Sequence, residues 1–91
     1  MSTKEKTSYS DQTAEQQEEQ KRLILYNDDV NTFDFVIESL IDVCEHDPLQ
    51  AENCALIAHY KGKCPVKSGS FNELKPFYTE MINRKLTVKI K

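Results

Sequence analysis

The chain has 91 residues, 12 Lys and Arg against 15 Asp and Glu, and a formal net charge of -3, which leaves room for one small domain and no second one. Acidic and basic residues are mixed along its length, so the basic stripe of a nucleic-acid binder is missing, and no apolar run is long enough to span a membrane. The sequence does not open on a secretory-type hydrophobic segment, and Cys44, Cys54 and Cys64, an odd number, suit reduced core thiols; a cytoplasmic location is expected.

From Met1 to Arg22 the only large apolar residues are Met1 and Tyr9, among Ser, Thr, Gln, Glu and Lys. Such a stretch cannot offset its ordering entropy by burial, so residues 1–22 are expected to form a disordered extension and residues 23–91 the folded unit. Leu23-Ile24-Leu25-Tyr26 is a short apolar run that meets the turn-forming Asn27-Asp28-Asp29, which predicts a strand entering a loop. Phe33, Val36, Ile37, Leu40, Ile41 and Cys44 then recur at helical spacing, with Asn31 or Thr32 as N-cap and Asp34 in the first turn.

Asp47-Pro48-Leu49-Gln50 opens a second helix that Gly62 closes. Its bulky residues are Leu49, Leu56, Ile57 and Tyr60, whereas Ala51, Ala55 and Ala58 form a face of small side chains beside His59, which another group can approach closely. Lys63 to Lys67 reads as a strand, and Pro65 within it implies an edge or a bulge. Ser70-Phe71-Asn72-Glu73 has the form of a capping box, yet Pro76 lies deep for a helix begun there, so a turn followed by a helix over 76–84 is expected. Leu86-Thr87-Val88-Lys89-Ile90 alternates as a half-exposed strand does. The predicted order is β-α-α-β-α-β.

Cys44, His46, Cys54, His59 and Cys64 do not make a metal site by spacing, since no C-x-x-C pair is present and the helical members point in different directions. No glycine-rich phosphate loop exists and no cofactor is expected. Asn27-Asp28-Asp29 admits two readings: a turn leading to a helix cap, or an acceptor set for an ammonium group made of the Asn27 carbonyl, an Asp carboxylate and a neutral His59 nitrogen. Val36, Ala55 and Ala58 beside these acceptors would accommodate an apolar side chain.

The segment Asn27-Asp28-Asp29 followed by Phe35-Val36-Ile37, together with Ala58-His59-Tyr60-Lys61-Gly62-Lys63, resembles the ClpS family, adaptors of the bacterial Clp proteases. The resemblance covers roughly residues 23–90. It implies an α+β fold in which a three-stranded antiparallel sheet packs against three helices, a match to the order above. It further implies that Asn27, Asp28, Asp29 and His59 hold a substrate's α-amino group, and that Asn31, Thr32, Phe33, Val36, Ala55, Ala58 and Leu86 line a pocket for its first side chain.

The protein would then be a non-enzymatic, monomeric adaptor for proteins whose N-terminal residue is Leu, Phe, Tyr or Trp. Its other partner would be the N-terminal domain of a Clp AAA+ unfoldase, of ClpA or ClpC type, with the extension serving in handover. The family's common Thr-Pro-Met is Asn31-Thr32-Phe33 here, and Ala55 and Ala58 stand where many members carry Met and Val, so the pocket wall is altered. A non-catalytic interaction module of a ribosomal or other assembly would share the fold without needing the acceptors.

Overall fold

The computed structural model describes residues 19–91, so the proposed disordered extension, apart from its last four residues, and the handover role attached to it lie outside the described part. Within it the elements run β1 (Lys21–Tyr26), α1 (Phe33–Cys44), α2 (Pro48–Lys61), β2 (Lys63–Gly69), α3 (Phe71–Asn83) and β3 (Val88–Ile90). The three strands form one antiparallel sheet in the order β2-β1-β3. The expected fold class and element order hold.

Burial explains the arrangement. Leu23 and Leu25 of β1, Cys64 and Val66 of β2 and Val88 of β3 turn to one face of the sheet, where they join Leu40, Val43 and Cys44 of α1, Ala51 and Ala58 of α2, and Leu74 and Met81 of α3. A bulge between Leu23 and Ile24 moves the pairing of β1 from Lys67 to Pro65, so Val66 can enter the core while the proline stays on an edge strand. The strand begins at Lys21, two residues before the apolar run, because pairing with Gly69 and Ser68 recruits Lys21 and Arg22 through the backbone.

The helix ends follow local chemistry. Thr32 caps α1 by accepting from the Phe35 N–H, Asp47 caps α2 by accepting from the Gln50 N–H, and Gly62 at φ 93° closes α2 in the left-handed conformation. The third helix departs from the expected 76–84: it starts at Phe71 and passes through Pro76. Both halves of the Ser70/Glu73 capping box are made, and Gly69 leaves space for the Glu73 carboxylate, which would lie 2.8 Å from a Cβ at that position. With Leu74 and Met81 fully buried on the same helix, those gains exceed the cost of one proline. The final strand is likewise shorter than expected, and Leu86 precedes it.

Arg84, at the end of α3, donates to the buried Ser39 hydroxyl at 3.3 Å and pairs with Asp42 at 3.6 Å, tying α3 to α1. His46 is buried, with its Nε2 at 2.7 Å from the Val66 carbonyl on the bulged strand. All three cysteines are free; Cys44 and Cys64 are buried and Cys54 half-buried.

Candidate functional site

The end of β1 carries the chain into a loop built around one carboxylate. Asp28 Oδ1 accepts from the Val30 N–H at 2.9 Å and the Asn31 N–H at 2.8 Å, and Asp28 Oδ2 accepts from Asn31 Nδ2 at 3.0 Å. Partial burial pushes the Asp28 pKa up, but the backbone and side-chain bonds from Asn31 and the backbone bond from Val30 outweigh it and hold the group below the ordinary carboxylate range. Asn31 Nδ2 also donates to the Lys85 carbonyl at 2.9 Å, which anchors the loop to the approach to β3.

The other wall is the last two turns of α2. The Asn27 N–H donates to the Gly62 carbonyl at 3.0 Å, fixing the acidic loop beside the C-terminal end of that helix. The negative end of the helix dipole and two carboxylates thus share one corner of the molecule. The ring of His59 meets that of Tyr60 edge-on, with centroids 4.9 Å apart.

Between loop and helix lies a cavity of about 400 Å³. It brings together Asn27, Asp28, Asp29, Asn31, Phe33, Val36, Ala55, Ala58 and His59, and no Lys or Arg lines it. Two expected residues are not in its lining. The Thr32 hydroxyl is engaged in capping α1, and Leu86 is packed into the hydrophobic core. Four residues line it that the sequence did not suggest for this role: Leu25, Tyr26, Leu56 and Tyr60. Leu56 and Tyr60 were legible in principle, being adjacent to Ala55 and His59 and four residues apart on one helical face.

The acceptors are not equivalent. Asp28 is occupied in holding the loop, whereas Asp29 and Asn27 are exposed and their side chains make no bond to the described chain. The opposite wall is apolar and shallow in side-chain terms, since Ala55 and Ala58 are buried methyls that bring the helix backbone close to the cavity. Among the described residues no group of three His, Cys, Asp or Glu side chains is placed to hold a metal ion, and no helix is long and apolar enough to cross a membrane.

Fold and site together define a small α+β domain with an acceptor-lined, partly apolar cavity between a strand-end loop and a helix C-terminus. The model of the family described as ATP-dependent Clp protease adaptor protein ClpS matches residues 16–87, and the chain belongs to that family. Among solved structures it is similar to Agrobacterium tumefaciens ClpS2 bound to L-phenylalaninamide, with a TM-score of 0.78 at 18% identity, covering 82% of this chain and 98% of that one. A comparison with curated protein sequences finds no significant match.

Proposed function

We propose that the cavity captures the first residue of proteins that begin with a large hydrophobic side chain, Leu, Phe, Tyr or Trp, and that the protein delivers them to the N-terminal domain of a Clp AAA+ unfoldase in the cytoplasm. The observation that carries this reading is the pairing, in one cavity, of carboxylate, amide and imidazole acceptors without any lining Lys or Arg, against an apolar wall. An α-ammonium group is the cation such a corner lacks. Asp29, Asn27 and His59 accept hydrogen bonds from its N–H groups, and Asp28 acts mainly by holding the loop in shape.

The side chain of the first residue then lies against Val36, Ala55 and Ala58, with Phe33, Leu56 and Tyr60 toward the surrounding wall. The L-phenylalaninamide held by the Agrobacterium relative has the same two features, a free α-amine and a benzyl group, which supports the reading. Burying such a side chain contributes about 1.5–3 kcal/mol and each hydrogen bond to the charged amine about 1.5–3 kcal/mol, before association costs. Both parts are needed, so an internal Phe is a poor ligand.

No bond is made or broken in this mechanism. The protein acts as a non-enzymatic monomeric adaptor without a cofactor. The experiment is a titration of the full chain with a labelled peptide beginning with Phe and with its N-acetylated twin; tight binding of the first alone is expected, and equal affinities would reject amine capture.

A further inference from the structure

A second cavity, of about 390 Å³, lies between α3 and β3 and shares no lining residue with the first. Its helix side is Phe71, Lys75, Tyr78 and Thr79, spaced i, i+4, i+7 and i+8 and therefore on one face of α3. Leu74 and Met81 of the same helix turn into the core, whereas Phe71 stays 48% exposed beside the cavity. The strand side is Lys89, Ile90 and Lys91, and no Asp or Glu lines the cavity.

The strand that borders it has a free edge. Among the described residues β3 pairs with β1 alone. The Tyr26 N–H donates to the Thr87 carbonyl and the Lys91 N–H to the Arg22 carbonyl, each at 2.8 Å. Bonded pairs alternate along an antiparallel ladder, so Lys89 also turns its N–H and carbonyl toward Ile24, while Val88 and Ile90 turn theirs away from β1. Neither Val88 nor Ile90 has a backbone partner on that side among the described residues. The other edge strand, β2, carries Pro65, which hinders strand addition; β3 has no proline. Side chains alternate as well. Val88 and Ile90 point to the helix-covered face, and Lys89 and Lys91 to the open one, where their Nζ atoms stand 5.5 and 5.8 Å from the Tyr26 ring centroid.

We propose that the groove between α3 and the free edge of β3 takes an extended acidic segment of another protein as a fourth strand of the sheet. Main-chain bonds to Val88 and Ile90 hold the segment. Its residues opposite Val88 and Ile90 share their face and are apolar, meeting Ile90, Phe71 and Tyr78; those opposite Lys89 and Lys91 lie on the open face and are Asp or Glu. Lys75 adds a positive charge from the helix side. A second copy of β3 is the disfavoured occupant, because it would set the lysines of one edge against those of the other. This site is separate from the capture of an N-terminal residue and does not depend on it.

The test is a titration of the full chain with the peptide Glu-Val-Glu-Val-Glu-Val, acetylated at its N-terminus so that amine capture in the first cavity is closed to it, and labelled at its C-terminus. Saturable binding is expected, and at saturation amide exchange at Val88 and Ile90 should slow at least about 10-fold, while Lys89, already bonded to β1, should change little. Lys89→Glu combined with Lys91→Glu should weaken binding at least about 5-fold and should favour an acetylated Lys-Val-Lys-Val-Lys-Val peptide over the acidic one. Ile90→Pro deletes an outward N–H without touching the β1 ladder and should also weaken the acidic peptide at least about 5-fold. Absence of saturable binding overturns the proposal, as does binding without slowed exchange at Val88 and Ile90, which would be loose attraction to the lysines. Slowed exchange at those amides without peptide, growing with protein concentration, also overturns it, because a second copy then occupies the edge.

Discussion

Replacing Asp29 and Asp28 one at a time should separate ligand capture from loop construction. The Asp29 side chain is exposed and holds no part of the described chain together, so Asp29→Ala should change folding stability by no more than about 0.5 kcal/mol. Its loss removes one charge-assisted hydrogen bond to the ammonium, about 1.5–3 kcal/mol, which raises Kd for a Phe-initiated peptide by about 12- to 140-fold. Asp28→Ala instead removes the acceptor of three intramolecular bonds and should cost about 1–2 kcal/mol of stability, allowing for the solvated position of the loop. The folded Asp28 pKa lies below its unfolded value, so its contribution is present above about pH 4 and is lost as pH falls through the folded pKa. The stability gap between the parent and Asp28→Ala should therefore close in acid. Fluorescence anisotropy and urea unfolding on the same preparations measure both effects. Unchanged peptide affinity in Asp29→Ala, or equal stability losses in the two variants, would refute the division of labour.

Because Ala55 and Ala58 leave the α2 wall low, peptides beginning with Ile or Val should bind alongside Phe and Leu, and Ala55→Met should weaken the branched ligands at least about 10-fold more than Phe in a competition series. Rejection of Ile and Val by the parent would mean that the Phe33 ring already closes the space. Pro76→Ala should raise the urea midpoint, by up to about 3 kcal/mol in stability, since the helix continues through that position; a lower midpoint would show that the proline is needed there. Burial pushes the Cys64 thiol up to about 12 and the Cys44 thiol up to about 11, so neither should alkylate in the native protein at neutral pH, and peptide mass mapping would reveal any fast modification at these two residues.

Where one local rule acted without a rival, the sequence was readable. Asp47, Pro48 and Gly62 bound α2 because cap, first-turn proline and left-handed glycine agree, and the run from Leu23 to Tyr26 forms the central strand because it is apolar throughout. Around Pro76 two rules conflicted, and nothing local showed that Leu74 and Met81 would be buried deeply enough to carry the helix through it. At the site, residues fixed by the turn and by the alanine face were legible. Thr32 and Leu86 were not separable from the lining, because capping and core packing draw on the same residue types. The occupied state of Asp28 was also hidden, since its partners Val30 and Asn31 offer backbone N–H groups that sequence letters do not show.

The orientation of α2 has one more outcome. Its alanines face inward while Leu49, 66% exposed, points to solvent, so between Leu56, His59 and Tyr60 the floor of the cavity on that side is set by two buried methyl groups. Those two alanine positions have no rotamers to swing aside. At that floor a ligand meets a surface already frozen by folding, with little side-chain freedom left to lose on contact. Selectivity from such a wall is retuned by adding atoms to it one position at a time, and each addition must either fill the void or lever the helix away from the sheet.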